Sequence, residues 1–354
     1  MSHKQHFLLS AKARTLSVRQ VMEMTETEAF EVFKEIRWGA GDEVACPVCG
    51  VVERHYFQRT RKQWRCKACN HTFSVTSGTI FAFHKLPLKV YLAAIALYAN
   101  AVKGISALQL SRDLGVQYKT AFVLAHKIRE SLMEHRDDAP LAGEVHMDGA
   151  YVNGHIRPKN KKAERIDRRL AKHQKPSKRC VFVMRQKCEE MASRRDGEAN
   201  SQVAEERSGA NKTLTFVIKN ENQADVMHLA GRFVAQGSTI CADESNAYDL
   251  LHAKYDTRRV NHQLEYRADD GTTNNLAESY FSRFRRMQYG QVHKFGNLYL
   301  ANYANEAAYR EDTRRWSNGQ IFRDIVKKCA RTRTHHDWCG YWQGNKRQAE
   351  RLAA

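Results

Sequence analysis

The 354-residue sequence predicts an α/β protein, in which a mixed-sheet domain follows a small cysteine-rich ribbon and a helix-turn-helix. Three observations predict it. Cys46, Cys49, Cys66 and Cys69 fall in a C-x2-C-x16-C-x2-C pattern. Two helical patterns flank a short turn at Gly115. From Glu144 onward, short strand-like runs give way to a helix, a further strand and more helices.

Composition narrows the class. Lys and Arg number 58 against 39 Asp and Glu, a net charge of +19, with a sequence pI near 9.6. Such a surplus points to a polyanionic partner, and nucleic acid comes first. The longest apolar run, about Tyr91 to Val102, is too short to span a bilayer. The first residues, MSHKQHFLLSAKA, hold too small an apolar segment for a signal peptide. No membrane association and a cytosolic location are therefore expected. In a reducing cytosol the nine cysteines argue for metal or free thiols rather than disulfides.

Thr25 and Glu28 make a capping box, with a helix to about Arg37 that buries Ala29, Phe30, Phe33 and Ile36. Each C-x2-C turn then presents two thiolates to one ion. Four thiolates close a tetrahedral shell with no open position, so structural Zn2+ is expected at Cys46, Cys49, Cys66 and Cys69. Strands are expected at 55–57, 63–65 and 73–76. A second site at Cys329, His335, His336 and Cys339 is the weaker reading, with buried thiols and surface histidines preferred.

From Pro87 the pattern turns helical, with Leu88, Tyr91, Leu92, Ile95, Tyr98 and Val102 on one stripe. Ser106 and Gln109 form a second capping box, Gly115 turns the chain, and a longer helix runs from about Tyr118 to Met133. If this pair binds DNA, Gln117, Tyr118, Lys119 and Thr120 lie near bases or phosphates. A plain helical linker is the alternative.

Residues 135–142 read as a hinge. In 144–152, alternation puts Glu144, His146 and Asp148 on one side of a strand and Val145 and Met147 on the other. The stretch 157–179 holds eleven Lys and Arg against two acids. It reads as a phosphate-binding arm carrying Lys159, Lys161, Lys162, Arg168 and Arg169, with a solvated loop as the alternative. Strands follow at 180–184 and 213–218, separated by a polar insertion over 186–211. A helix over 222–235, a strand ending at Asp243 and a short helix over 247–254 come next.

After the break at 269–273, a helix carries Ala277, Tyr280, Phe281, Phe284 and Met287 on one face. Asn275, Glu278, Ser282 and Arg285 share the other. Helix continues over 297–310, with Glu306 and Arg310 as an i,i+4 pair, and the basic tail past Ser317 carries no assignable pattern.

Asp148, Asp243 and Glu278 thus come from two strands and a helix. Three carboxylates so placed can hold two Mg2+ ions ~3.5–4 Å apart for in-line phosphoryl transfer. On pattern alone they can equally be ordinary surface acids.

The assembled motifs resemble the bacterial insertion-sequence transposases of ISXO2-like type, which join an N-terminal zinc ribbon to a DDE domain. The resemblance covers roughly residues 20–315. Its marks are Arg37-Trp38, Cys46-Pro47-x-Cys49-Gly50, Trp64-Arg65-Cys66-Lys67-x-Cys69, Phe73 to Thr79 and Gly104-Ile105-Ser106-Ala107. It continues in Val145-x-x-Asp148-x-x-Tyr151-Val152, Ala242-Asp243-x-x-x-x-Tyr248, Asn275-x-x-Glu278-Ser279 and Tyr303-x-x-Glu306-x-x-x-Arg310. It implies an RNase H-like fold over about 140–315, with DNA cleavage at element ends and strand transfer into a target.

By position, the resemblance makes Asp148 and Asp243 the first two Mg2+ (or Mn2+) ligands. Asn275 and Glu278 both match the third, and Glu278 is preferred because its carboxylate suits the ion and its helix face carries Arg285 for DNA. One departure is Gly149, where many members have an acid. Double-stranded DNA, as terminal inverted repeats and target, is the implied partner. A homo-oligomer and a nucleoid location follow, because two ends must be joined. A zinc-ribbon DNA-binding regulator and a structure-specific nuclease are the rival readings.

The expected organisation is an N-terminal helical segment (1–38), a zinc ribbon (39–83), a helix-turn-helix region (84–138), the catalytic domain (139–316) and a basic tail (317–354).

Overall fold

A computed structural model describes residues 7–53, 55–167, 170–188, 209–261, 268 and 271–353. The chain forms two compact units. One comprises Met1–Arg136, Gly290–Val292 and Thr313–Gln348; the other comprises Asp137–Tyr289, His293–Asp312 and Ala349–Ala354.

The first unit opens with helices α1 (Val18–Glu23) and α2 (Glu26–Trp38), each started by a capping box. In α2 the Thr25 hydroxyl accepts the Glu28 N–H while Glu28 accepts the Thr25 N–H at 2.7 Å. Ala29, Phe30 and Phe33 are buried as their spacing requires. Three short antiparallel strands follow: β1 (His55–Gln58), β2 (Gln63–Cys66) and β3 (Thr72–Phe73). The third strand is two residues long, shorter than its sequence pattern. Trp64 stacks between Phe30 and Phe73, supplying apolar packing for a ribbon too small for a core of its own.

Helix α3 (Leu88–Asn100) is apolar on nearly every side and buried accordingly. Val102 does not join its stripe: the helix ends at Asn100, and Val102 is 79% exposed. Ser106 then caps α4 (Ala107–Leu114) by accepting the Gln109 N–H at 3.1 Å. Gly115 takes the left-handed conformation (φ 64°) that ends the helix, and α5 (Tyr118–Glu134) begins three residues later.

The second unit is built on a five-stranded sheet of β4 (Glu144–Val152), β5 (Arg179–Lys187), β6 (Ala210–Ile218), β7 (Thr239–Asp243) and β8 (Asp256–Val260). Their order is β6-β5-β4-β7-β8. Strands β4, β5 and β6 run antiparallel in sequence, whereas β7 and β8 lie parallel to β4. Strand β8 has no sequence counterpart above. Its residues, Asp-Thr-Arg-Arg-Val, are those of a charged edge strand, which carries no apolar alternation to detect.

Val145, Met147, Ile240 and Ala242 face one core with Val226, Leu229 and Phe233 of α6 (Gln223–Phe233) and Leu251 of the short 3-10 helix Asn246–Ala253. Strand alternation therefore sends Glu144, His146, Asp148, Cys241 and Asp243 to the other face. Helix α7 (Asn275–Met287) lies against β4 and β5, and α8 (Leu300–Asp312) against β6. The five apolar positions of α7 are all buried, and its hydrophilic face is exposed. The 306–310 pair of α8 forms, with Arg310 Nε donating to Glu306 at 2.9 Å.

The tail past Ser317, unassigned by its pattern, belongs to the first unit as far as Gln348, and its last residues to the second, where Glu350 pairs with Arg179 at 2.6 Å. Ser317 opens a capping box for α9 (Asn318–Arg331), and the short α10 (His336–Cys339) follows. Buried Trp338 of this segment donates through Nε1 to Glu130 at 3.2 Å, and Arg347 reaches the same carboxylate at 2.6 Å. Among the described residues no helix is long and apolar enough to cross a membrane.

Candidate active site and zinc site

Register places the first two acids side by side. On the adjacent parallel strands β4 and β7, His146 pairs with Cys241. Two residues further along each strand stand Asp148 and Asp243, on neighbouring strands ~4.8 Å apart. The N–H of Gly149 donates to Asp148 Oδ1 at 2.7 Å, and the N–H of Ser245 to Asp243 Oδ1 at 2.9 Å. Behind Asp243, its carbonyl accepts Arg259 Nε at 3.0 Å, which fixes the strand end.

Glu278 comes from the first turn of α7. That turn is tied to β4 by Asn274, which is buried and donates through Nδ2 to the carbonyl of Met147 at 3.0 Å, next to Asp148. Arg185 of β5 holds the same turn, donating to the Leu276 carbonyl at 2.6 Å and the Ser279 hydroxyl at 2.7 Å. Glu278 and Asn275, the alternative third residue, are both exposed.

The surroundings of Asp148 disfavour its charged form. Burial pushes its carboxyl up to about 7, and Asp243, Glu221 and Glu278 push in the same direction, against the Gly149 N–H. Asp148 thus feels Asp243, Glu221 and Glu278, although the carboxylate oxygens of Asp148, Asp243 and Glu278 do not all lie within 4.8 Å of one another. The structure adds an acid that sequence reasoning missed. Glu221 lies in the turn between β6 and α6, accepts a hydrogen bond from the Tyr248 hydroxyl, and has its N–H bonded to the Tyr151 hydroxyl at 3.1 Å. Burial and Asp243 push its carboxyl above the usual range, against the Tyr248 bond. No motif marks Glu221. The only sequence signal is the glycine at 149, which leaves room for it.

An all-oxygen donor set of like-charged carboxylates, with Asp148 and Asp243 half-buried and Glu278 exposed, fits Mg2+ or Mn2+, hard ions whose charge relieves the repulsion. The ligand atoms of Glu144, His146 and Cys241, by contrast, do lie within 4.8 Å of one another. There His146 Nε2 and Glu144 Oε1 are 2.9 Å apart and Lys187 pairs with Glu144 Oε2 at 2.8 Å, so the carboxylate is already neutralised. Burial holds the His146 imidazole below its usual pKa.

The basic residues are distributed over both units. Lys119 is exposed at the start of α5, its ammonium 4.4 Å from the centroid of the Trp342 ring in the same unit. Lys159, Lys161 and Lys162 are exposed in the irregular stretch after β4. Arg285 is exposed on α7 and lies over the Phe281 ring. Arg168, Arg169 and the greater part of the 186–211 insertion lie outside the described residues.

At the ribbon the Sγ atoms of Cys46, Cys49, Cys66 and Cys69 lie within 4.8 Å of one another. Cys46 to Cys69 is 3.7 Å and Cys49 to Cys66 is 3.6 Å. A tetrahedron with Zn–S bonds of ~2.3 Å has edges of ~3.8 Å, so the shell is already the right size. The Cys69 N–H pulls the Cys66 thiol down to about 6. Cys69 accepts the His71 N–H, yet burial and the thiols of Cys49, Cys46 and Cys66 push it up to about 12. Four thiolates so crowded ionise together only around a cation, which is what Zn2+ supplies. Among the described residues Cys329, His335, His336 and Cys339 do not gather in this way; Cys339 donates instead to the Ile80 carbonyl at 3.3 Å.

Comparison with known proteins matches the two segments that carry these sites. Residues 24–72 match the transposase zinc-ribbon domain, and residues 140–312 match the ISXO2-like transposase domain. An uncharacterized protein in transposable element ISH50 of Halobacterium salinarum is 30% identical over 139 residues, which is 38% of this chain and 44% of that relative. The chain thus matches less than half of that relative's length. With the ribbon and the DDE domain matched in that order, the chain belongs to the ISXO2-like transposase family.

Proposed function

We propose that the chain is a DDE transposase that cleaves DNA at the ends of an insertion sequence and joins the freed 3′-OH strands to target DNA. The observation that supports this most is that Asp148 of β4 feels the charge of both Asp243 of β7 and Glu278 of α7, within the segment that matches the transposase domain. Asp148, Asp243 and Glu278 would hold Mg2+ or Mn2+. A bound pair of such ions stabilises the charge on the attacking and leaving oxygens of an in-line displacement.

The chain's own residues position and neutralise. Asp148 keeps a proton up to about pH 7 and gives it up when a cation arrives. Arg185 and Asn274 hold the first turn of α7, and with it Glu278, against the sheet. Lys159, Lys161, Lys162, Arg168, Arg169 and Arg285 would contact phosphates beside the acids. The ribbon, held by Zn2+, and the α4–α5 pair with Lys119 would bind the element's terminal inverted repeats. In this reading the working regions are 1–38, 39–83, 84–138, 139–316 and 317–354, and the protein acts as a homo-oligomer on the nucleoid, since two ends must be joined.

The test is a strand-transfer assay with Mg2+, a duplex carrying the element's end, and a supercoiled plasmid. Joined product supports the proposal. Cutting without joining leaves a structure-specific nuclease, and binding without cutting leaves a DNA-binding regulator.

A further inference from the structure

Gly149 lies in the middle of β4 and pairs in register with Phe182. Its φ lies outside the left-handed region, so the backbone does not require glycine there. Space does. A Cβ at 149 would stand 2.6 Å from the Cδ of Glu221, 2.6 Å from its Oε2 and 2.7 Å from its Oε1. All three atoms of that carboxyl group occupy the place where a side chain at 149 would begin. Strand alternation puts this place on the face of β4 opposite Asp148.

The carboxyl is fixed there. The fully buried Tyr248 donates its hydroxyl to Oε1, and the Tyr151 hydroxyl holds the Glu221 N–H at 3.1 Å. These partners are neutral. Among the described residues no Lys, Arg or His forms an ion pair with Glu221. A half-buried carboxylate without a cationic partner is costly unless a cation is nearby. The charged groups that Glu221 feels are acids, Asp243 and Asp148.

We propose that Glu221 is the fourth acid of the centre, a fixed negative charge set behind β4 in the space that Gly149 leaves, which strengthens divalent-cation binding at Asp148 and Asp243. It is a positioning residue: it acts through its field on ions that the other acids hold. With Asp148, Asp243 and Glu278 it brings the carboxylate charge to four, the charge of two divalent cations. The inference rests on the reading of those three acids as the cation site, and the experiment separates the two.

The experiment is a calorimetric titration of the full-length, zinc-loaded protein with Mn2+ in the absence of DNA, alongside a thermal melt of each variant. Glu221→Gln keeps the shape of the side chain and can still accept from Tyr248. It is expected to melt with the wild type and to bind Mn2+ roughly tenfold more weakly, the size of effect that groups outside the ligand shell have on metal affinity. The exchange variant Glu221→Gly with Gly149→Glu returns a carboxylate to the same region from the other chain position. It is expected to recover most of that affinity. Unchanged Mn2+ affinity in Glu221→Gln overturns the inference, as does an exchange variant that folds yet binds no better than Glu221→Gln. Asp243→Asn is the control: if it binds Mn2+ like the wild type, the cation site itself is misplaced, whatever Glu221 does.

Discussion

Arg185 of β5 donates through Nη1 to the Ser279 hydroxyl of α7 at 2.7 Å. The same guanidinium reaches the Leu276 carbonyl, Thr213 Oγ1 at 3.0 Å and the buried Glu311 at 3.3 Å. One buried cation thus fixes the first turn of α7 to the sheet and to α8. Removing it strands Glu311, whose other cation, Arg283, is 47% exposed. Arg185→Met should lower stability by about 3–5 kcal/mol, as for a broken buried ion pair, in a urea melt. A loss under about 0.5 kcal/mol would show that α7 is held by apolar packing alone.

Asp148 carries a pH signature. Burial raises its folded-state pKa from 3.8 to about 7, so between those values the folded chain binds a proton that the unfolded chain has released. Its contribution to stability is therefore largest at low pH and declines as pH rises from about 4 to about 7. Buried His146, held down, works the other way below its usual pKa, so the comparison must be made against Asp148→Asn. In metal-free protein, Asp148→Asn should gain stability relative to the wild type as pH rises through that window, with the difference level above it. A difference that does not move with pH contradicts the account. Mn2+ should stabilise the wild type more at pH 8 than at pH 6, since the ion displaces the proton.

The ribbon offers an independent check. Its core is little more than the stack of Phe30, Trp64 and Phe73, and four thiols crowd one point. Purified protein should carry one zinc per chain, and Cys66→Ser or a strong chelator should release it and shift the Trp64 fluorescence toward that of exposed indole. The 140–312 segment should keep its own melting transition. Retained ribbon structure without metal would contradict a structural zinc.

Lys159, Lys161 and Lys162 project from the stretch after β4 into solvent. If they neutralise phosphates, the triple alanine variant should bind any DNA duplex more weakly, with a log K against log salt slope shallower by up to ~2.7, or ~0.9 per contact. An unchanged slope would return this stretch to the status of a solvated loop.

The sequence already carried the ribbon, the helix pair at Gly115, the β4 alternation and the apolar face of α7, because each is written in local periodicity or spacing. What it hid was non-local. Strand β8 is a charged edge with no pattern of its own. Arg185 directly follows a strand-like run, and nothing near it announces that its partners lie on β6, α7 and α8. Asn274 is one polar residue beside another, and only the fold distinguishes buried Asn274 from exposed Asn275. From sequence Gly149 is a departure from a motif; its cause, the Glu221 carboxyl, lies beyond two further strands.

If Asp148, Asp243 and Glu278 carry DNA cleavage and joining, the loss of one of them abolishes joining and spares binding. The most direct test is the single-turnover rate of joining an end duplex to plasmid with Mg2+, for the wild type and for Asp243→Asn at matched DNA binding. The account predicts that Asp243→Asn binds the end as the wild type does and joins it roughly a thousandfold more slowly or less. Joining by Asp243→Asn at the wild-type rate would contradict it.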